Sequence, residues 1–229
     1  MLMDRIIPTH IAMIMDGNRR WARKRLMPTN IGHSQGAKAL EKIAIACQER
    51  GVKYLTVYAF STENWKRSEE EVNYLMKLLA ENISDFDKRF ENDDVRIRLV
   101  GDINGLPKDL QEGILKIEER TKNKTGLTVN VAINYGGRAE IVHAIQRMKD
   151  DGVEDITEEA VNKYMYTYDS PDPDLIIRTA GEQRLSGFLI WQSAYSEFYF
   201  TDVLWPDFDE KELDKAIDEF NNRKRNFGK

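Results

Sequence analysis

The sequence predicts an α/β domain with a mostly parallel, open sheet of about six strands and helices on both faces. Short apolar runs alternate along the chain with longer amphipathic stretches, and this alternation is typical of strand–helix–strand units. No internal repeat, low-complexity tract or linker rich in Pro, Gly and Ser interrupts the pattern. We therefore expect residues 1–229 to form a single domain, which is long enough to bury a hydrophobic core.

Each predicted element follows from the periodicity of its apolar residues. Strands are expected at residues 11–15, 54–60, 95–100, 127–133, 174–177 and 198–204. Helices are expected at residues 34–50, 69–91, 108–122, 138–149, 157–166 and 209–224. Ser68 followed by Glu71 fits a capping box at the start of the second of these helices. Apolar residues alternate with Arg96 and Arg98, which indicates a strand near the edge of the sheet.

The helix predicted at residues 69–91 carries a continuous apolar stripe. Its members are Val72, Leu75, Met76, Leu79, Ile83, Phe86 and Phe90. Such a stripe is typical of core packing. It is also compatible with the lining of an apolar ligand channel, so the sequence leaves both interpretations open.

The charge of the chain argues against nucleic-acid binding and draws attention to one basic stretch. The formal net charge is −5, whereas a general nucleic-acid binder carries a basic footprint. Residues 19–25 nevertheless read RRWARKR, with five basic side chains in seven positions. A local positive patch on an acidic protein suits a small multivalent anion, although a solvated helix face would have the same composition.

Cysteine usage and hydropathy indicate a cytoplasmic protein. Cys47 is the single cysteine, and it falls in an apolar helical pattern, so we expect it to be buried and unreactive. No apolar run approaches the ~20 residues that span a bilayer. The first ten residues, MLMDRIIPTH, lack the apolar region of a secretory signal.

Polar residues of one kind follow four of the predicted strands. The four stretches are DGNRRW (16–21), STENWKR (61–67), NYGGR (134–138) and RTAGEQRLS (178–186). Ligands of parallel sheets bind beyond the carboxyl ends of the strands, and glycines, helix N-termini and arginines are suited to phosphate. Each stretch alone is also compatible with a turn or a surface ion pair. Their joint placement predicts a phosphate-binding site at one rim of the sheet.

Several other chemistries lack support in the sequence. Neither G-x-G-x-x-G nor G-x-x-x-x-G-K-[ST] occurs, which argues against the common nucleotide-binding loops. Three histidines and one cysteine show no zinc-ligand spacing, and no G-x-S-x-G elbow is present. We therefore expect any metal to be a hard cation bound by oxygen, namely Mg²⁺ held by carboxylate and phosphate.

Motifs along nearly the whole chain resemble the cis-prenyltransferase family, in particular its bacterial undecaprenyl diphosphate synthase branch. They are HIAMIMDGNRRWA (10–22), GHSQG (32–36), YAFSTENWKR (58–67), NYGGR (134–138), residues 171–208, and NRKRNFG (222–228). The resemblance implies a catalytic domain that condenses isopentenyl diphosphate in cis onto an allylic diphosphate such as farnesyl diphosphate. It also implies Mg²⁺ as cofactor, a homodimer, no nucleic-acid partner and a lipid-carrier product for cell-wall synthesis.

The resemblance also assigns roles to residues. It implies that Asp16 and Asn64 are catalytic, and that Asp16 and Glu197 bind the metal, with Glu197 offered across the homodimer interface. The basic tail 222–228 is expected at the neighbouring subunit's site. The implied substrate-binding residues are Gly17, Asn18, Arg19, Arg20, Trp21, His33, Ser61, Thr62, Glu63, Trp65, Arg67, Arg178, Arg184, Leu185 and Ser186.

Four departures from the family pattern put the product length in doubt. They are Arg19, Thr29, Ala180 and Gly187, and two of them resemble short-chain Z-farnesyl diphosphate synthases. A short-chain enzyme is therefore an alternative, as are a non-catalytic partner subunit and a plain anion-binding module. We expect the growing tail to enter an apolar tunnel beneath the helices at 34–50 and 69–91. A long lipid product would favour peripheral contact with the inner face of the cell membrane for its release.

Overall fold

Six parallel strands form the centre of the protein. The computed structural model describes residues 5–85, 90 and 93–223. The strands are β1 (His10–Ile14), β2 (Tyr54–Ser61), β3 (Val95–Val100), β4 (Leu127–Tyr135), β5 (Leu175–Arg178) and β6 (Glu197–Phe200). Their order across the sheet is β3-β4-β2-β1-β5-β6, and all five neighbouring pairs are parallel. The predicted parallel sheet and the edge position of β3 are both confirmed.

Seven α-helices surround this sheet within the described residues. They are α1 (Asn18–Lys24), α2 (Thr29–Glu49), α3 (Glu69–Ser84), α4 (Lys108–Thr121), α5 (Gly137–Asp150), α6 (Glu158–Tyr164) and α7 (Glu210–Asn222). Short 3₁₀ turns lie at Thr62–Lys66, Ile103–Gly105 and Trp205–Asp207. None of the described helices combines the length and hydropathy needed to cross a membrane.

The sheet is covered on both faces. On one face, Ile11 and Met13 of β1 pack in a buried cluster with residues of α2 and α7 such as Ile43 and Ile217. On the other face, Ala12 belongs to a cluster completed by residues from the segment after β5. Residues of β1 alternate between the two clusters because successive side chains of a strand point to opposite faces. Cys47 is buried in the first cluster, as the sequence predicts.

Several element bounds differ from the prediction, including the end of α3 at Ser84 rather than at residue 91. Helix α1 was not predicted, because Ala22 is its single buried residue and so it shows no apolar periodicity. Helix α2 starts at Thr29 rather than at residue 34, and β6 ends at Phe200 rather than at residue 204. Phe86, part of the predicted stripe on α3, and the tail from residue 224 lie outside the described residues.

Helices α1 and α2 are held in close contact by a glycine. A Cβ atom added at Gly32 of α2 would lie 2.1 Å from the carbonyl oxygen of Asn18 in α1. Trp205 secures the same region, since its backbone N–H donates to the Asp16 carbonyl (3.0 Å) and its indole N–H donates to the Gly36 carbonyl (2.8 Å). The first helix after β1 is therefore fixed from two sides at the carboxyl edge of the sheet.

We predict that Gly32→Ala will destabilise the protein by about 1–3 kcal/mol, because the new methyl group must push α1 away from α2. Gly113→Ala is the matched control in α4, where an added Cβ would meet only Ile83 Cγ2 at 3.4 Å. The control should be neutral or stabilising by up to about 1 kcal/mol, since alanine favours helix over glycine. Urea unfolding curves measure both. Equal midpoints for the two variants would contradict the close packing.

Candidate active site

The carboxyl edge of the sheet brings an aspartate and an arginine from neighbouring strands into contact. Ile14 of β1 pairs with Arg178 of β5, and Asp16 lies two residues beyond Ile14. Arg178 Nη2 donates to Asp16 Oδ2 at 3.0 Å. Arg178 is only 4% exposed, so its charge is buried and needs this carboxylate as a partner.

Arg178 also fixes the loop that follows β5. Its Nη1 donates to the Arg184 carbonyl and to Ser186 Oγ, the latter at 2.9 Å. Ser186 has a positive φ of 50° and Gly187 has a φ of 79°, a region that favours glycine. The loop therefore folds back over the arginine and presents a hydroxyl beside Asp16.

Helix α1 begins at this edge and turns its N-terminus towards Asp16. Gly17 precedes the helix with φ 110°, and a Cβ there would lie 3.0 Å from Leu204 Cδ2 and 3.1 Å from Ala180 Cβ. Glycine is thus required at this position. Arg20, one turn into α1, places Nη2 3.4 Å from Asp16 Oδ1 and donates from Nη1 to the Ala180 carbonyl at 2.8 Å.

A single carboxylate of α3 faces three cationic or titratable groups. Glu71 accepts a hydrogen bond from Arg67 Nη1 (2.9 Å) and lies 3.7 Å from Arg19 Nη1 and 3.6 Å from His33 Nε2. Burial lowers the pKa of His33, the charges of Arg67 and Arg19 lower it further, and Glu71 acts in the opposite direction. His33 is therefore favoured in its neutral form near pH 7.

The 3₁₀ turn after β2 supplies amide and hydroxyl groups to the same rim. Asn64 Oδ1 accepts a hydrogen bond from the Ser61 backbone N–H at 3.1 Å. Ser61, Thr62, Glu63, Asn64 and Arg67 line one polar pocket. The turn thus places the predicted residues of this segment beside Asp16, with the exception of Trp65.

Three cavities meet at Met15, Asn18 and His33, which line all of them. The first is a polar pocket of about 340 Å³ over α1, whose other lining residues are Asp16, Gly17, Arg19, Arg20, Arg23 and Arg67. The second is a larger polar pocket of about 910 Å³ that includes Asp16, Ser61, Asn64, Arg138, Arg178 and Ser186. Asp16 borders both polar pockets.

The third cavity is apolar and lies between α2 and α3, where the sequence predicts the tunnel. It has a volume of about 190 Å³, and its walls include Leu40, Ala44, Leu75, Leu79 and Ile133. Leu75 and Leu79 of the predicted stripe line this cavity and also pack in the buried cluster that contains Val72. The stripe on α3 therefore forms both core packing and cavity wall.

Buried polar atoms without a partner mark the same place. Among the described residues, the buried side-chain atoms that lack a hydrogen bond include Asn18 Oδ1, His33 Nε2 and Arg178 Nε. Buried polar groups are ordinarily satisfied. Three such atoms around one junction are what a site built for a polar ligand leaves open.

Some predicted residues are not brought to the pockets. Trp21 donates from its indole N–H to Asp207 at 2.6 Å, and Trp65 donates to Asn134 at 2.7 Å. Arg184 is exposed and pairs with Glu182, and the Leu185 side chain packs against the cluster on the sheet's second face. None of these four residues lines the pockets described above.

Glu197 lies at the amino ends of the strands, whereas Asp16 lies just beyond their carboxyl ends. It pairs with Leu175 at the start of β5, three residues before Arg178 and hence roughly 10 Å away along the strand. Its carboxylate accepts a hydrogen bond from Arg223 at 2.8 Å. Within one chain it cannot join Asp16, so the metal role expected for it requires a second subunit.

Arg138 and Glu71 are among the polar residues of the site that were absent from the predicted set. Arg138 lines the larger polar pocket, and its signal was the NYGGR stretch after β4. Glu71 was interpreted only as a capping partner, and its backbone N–H does donate to Ser68 Oγ at 3.4 Å. Its contact with the cations depends on how α3 packs over α2, which periodicity does not reveal.

The four departures occupy different positions. Ala180 has a φ of 71°, so the glycine common in the family would be unstrained there. Gly187 shares this left-handed conformation. Arg19 reaches Glu71, and Thr29 is exposed at the start of α2.

Asp16 is the described residue best placed to hold a metal ion. The described residues contain no cluster of three or more His, Cys, Asp or Glu side chains suited to a metal. Mg²⁺ binds through one or two carboxylates plus substrate phosphates rather than in an all-protein cage. One partly exposed carboxylate between two basic pockets fits that donor set.

The chain is similar in sequence to proteins of known family. The family profile described as "Putative undecaprenyl diphosphate synthase" matches residues 14–228. A protein of Fusobacterium nucleatum named isoprenyl transferase is 56% identical over 99% of this chain and 98% of its own length. An isoprenyl transferase of Clostridium perfringens is 49% identical over 99% of this chain and 92% of its own length.

Solved structures share the fold at nearly full length. Lavandulyl diphosphate synthase from Lavandula x intermedia, in complex with dimethylallyl diphosphate, has a TM-score of 0.94 and 35% identity, covering 99% of this chain and 100% of its own. A "probable undecaprenyl diphosphate synthase" from Campylobacter jejuni has a TM-score of 0.84 and 37% identity, covering 97% and 99%.

We predict that Glu71→Gln will lower the pKa of His33 further, because the nearest group that stabilises the imidazolium is lost. Histidine NMR titration measures this directly, since the chain has three histidines. His10 is the internal control: burial lowers its pKa to about 4, and Glu71 is not among the groups that act on it. A pKa of His33 that stays constant or rises would contradict the contact.

Proposed function

The chain belongs to the undecaprenyl diphosphate synthase family of isoprenyl transferases, and from this premise we propose that it builds a long Z-polyprenyl diphosphate. The reaction is a cis condensation of isopentenyl diphosphate onto an allylic diphosphate such as farnesyl diphosphate. The product would serve as the lipid carrier for cell-wall synthesis.

The observation that carries the proposal is the junction of two basic pockets with one apolar cavity. Two diphosphates and one hydrocarbon tail need such an arrangement. Asp16, which borders both polar pockets, would then lie between the two diphosphates. Holding the reacting carbons in this way converts an encounter into a positioned step.

The allylic diphosphate would occupy the pocket over α1. Arg19, Arg20 and Arg67 line it, together with Gly17 and Asn18 at the N-terminus of α1. Charge-assisted hydrogen bonds of this kind contribute about 1.5–3 kcal/mol each. The similar lavandulyl diphosphate synthase is in complex with dimethylallyl diphosphate, so this fold can bind an allylic diphosphate, which supports the proposal.

Isopentenyl diphosphate would occupy the larger pocket. Arg178 and Ser186 line it and already form a hydrogen bond. Arg184 belongs to the same loop as Ser186, and its carbonyl accepts a hydrogen bond from the Arg178 guanidinium. Its own side chain is exposed in this structure. Arg138 adds a further cation to the lining of this pocket.

The chemistry assigned to these residues is simple. The terminal alkene carbon of isopentenyl diphosphate forms a bond to the allylic carbon, whose bond to diphosphate breaks with its electron pair. A proton then passes from C2 to an oxygen of the released diphosphate, and the electrons of that C–H bond form the new double bond. Asn64 lies at the pocket wall with Ser61, and we assign it to positioning the condensing diphosphate and the departing proton.

Mg²⁺ would be held by Asp16 together with diphosphate oxygens, and would offset the charge on the departing group. Asp16 keeps its carboxylate near the α1 pocket through Arg178 and Arg20. Glu197 would join a metal only from a partner subunit, which is why we propose a homodimer.

The tail would grow into the apolar cavity between α2 and α3. Burying one five-carbon unit gains roughly 4 kcal/mol at ~0.8 kcal/mol per methylene. A long product would therefore leave slowly. Release would favour a peripheral contact of this cytoplasmic enzyme with the membrane.

A short-chain product is the second candidate, and one observation favours it. The apolar cavity of about 190 Å³ is only slightly larger than the ~150 Å³ engineered cavity that accepts a benzene molecule. Longer tails would require α2 and α3 to separate.

Mass spectrometry of products made from labelled isopentenyl diphosphate tests both candidates. With farnesyl and geranyl primers, a product of many isoprene units supports the proposal, and termination after one or two additions supports the short-chain enzyme. Activity of the purified chain alone would also exclude the alternative that it is a non-catalytic partner subunit. Binding of phosphate without consumption of the allylic primer would indicate an anion-binding module instead.

We predict that Asp16→Ala will lower turnover by about 100-fold or more, because the carboxylate that would hold Mg²⁺ beside the departing diphosphate is lost. The variant should be less stable, because the buried Arg178 then keeps only the Arg184 carbonyl and the Ser186 hydroxyl as partners, so its fold is checked by circular dichroism. Asp218→Asn is the control, an exposed carboxylate that pairs with Arg5. Turnover of Asp16→Ala close to the normal rate would refute the assigned role.

We predict that EDTA will stop condensation and that added Mg²⁺ will restore it, since the diphosphate oxygens and Asp16 form a hard-donor set. Steady-state assays with and without chelator measure this. Full activity after removal of divalent ions would eliminate the metal from the scheme.

A further inference from the structure

The turn between α1 and α2, together with the first residues of α2, exposes three apolar side chains. They are Leu26, Met27 and Ile31, and Leu26 is 96% exposed. Single exposed apolar residues are ordinary on protein surfaces. Three within six positions form an apolar tip, and we use this name for them below.

The backbone conformation at Leu26 favours glycine, so the turn itself does not account for an exposed leucine at this position. Leu26 has a φ of 54°, and its N–H donates to the Arg23 carbonyl while the Met27 N–H donates to the Ala22 carbonyl. This hydrogen-bond pair is the helix-ending motif in which glycine is usual. Glycine would make the turn without strain, so the leucine side chain serves neither the turn nor the core.

Cationic side chains flank the apolar tip. Arg23 and Lys24 are exposed in the last turn of α1. Arg25, which follows, pairs with Asp207 and stacks on Trp21 at 4.1 Å. On a chain of net charge −5, an apolar tip with a basic collar complements a surface that is apolar within and anionic outside.

The apolar tip is close along the chain to residues of the site. Tyr74 of α3 donates its hydroxyl to the Asn30 carbonyl at 3.0 Å, so the start of α2 touches α3. His33, two residues after Ile31, lines the apolar cavity and both polar pockets. A surface that holds the apolar tip would therefore lie near the route of the hydrocarbon tail.

We propose that the apolar tip inserts into the interfacial region of an anionic lipid bilayer. The purpose of the contact, transfer of a lipid product, rests on the proposed function, whereas the contact itself does not. Leu26 and Met27 enter the acyl boundary, and Arg23 and Lys24 bind lipid phosphates. The left-handed turn at Leu26 directs its side chain outward.

Co-sedimentation of the full chain with vesicles tests the proposal. The probes are phosphatidylcholine vesicles with and without phosphatidylglycerol. We expect binding to the anionic vesicles that weakens as salt rises. Leu26→Gly should weaken binding about tenfold, as expected for loss of one largely buried leucine, and it suits the local φ, so the variant should fold.

Ile156→Ser is the matched control. Ile156 is 65% exposed and lies in an acidic segment, DGVEDITEE, so its loss should leave vesicle binding unchanged. Condensation of short primers without vesicles should be equal in wild type and Leu26→Gly. Vesicle binding by a chain that fails to condense would refute the proposed function and leave this contact standing.

Two results would overturn the proposal. The first is wild-type protein that does not bind anionic vesicles, or Leu26→Gly that binds them as wild type does. The second is a change of oligomeric state in Leu26→Gly, measured by light scattering, with vesicle binding unchanged, because the apolar tip would then contact a second copy of the chain.

Discussion

The contact between Arg178 and Asp16 is the constraint on which the site depends. It joins the ends of two neighbouring parallel strands, and the guanidinium is buried while the carboxylate remains partly exposed. A buried cation must be matched by a charge or by good acceptors. Arg178 also binds the loop after β5, and Asp16 adjoins the start of α1. This one ion pair therefore fixes the positions of the two polar pockets relative to each other.

Three cations of the site are already paired before a ligand arrives. Arg67 binds Glu71, Arg20 lies near Asp16, and Arg178 holds Asp16. Binding a diphosphate is thus an exchange of partners rather than capture by free charges. Such an exchange favours ligands with several negative oxygens, since a weaker anion would not compensate for the lost contacts. The glycine before α1 allows the helix N-terminus to take part in that exchange.

Much of this architecture could be predicted from the sequence because parallel sheets collect their strand ends at one edge. DGN after β1 and RTA after β5 meet for that reason alone. Helix α1 escaped prediction because burial of one side chain leaves no periodicity. Glu71 and the orientations of Trp21 and Trp65 depend on packing between elements distant in the chain. The family resemblance predicted a metal role for Glu197, but the register of β5 and β6 places this residue at the amino ends of the strands, away from Asp16 of the same chain.

The most direct test of the account is a crystal structure with Mg²⁺, isopentenyl diphosphate and an unreactive allylic thiodiphosphate. We expect one diphosphate over the N-terminus of α1 and the other at Arg178 and Ser186. We also expect the metal at Asp16 and the allylic tail between α2 and α3. Diphosphates bound away from Asp16, or a tail directed out of the apolar cavity, would contradict it.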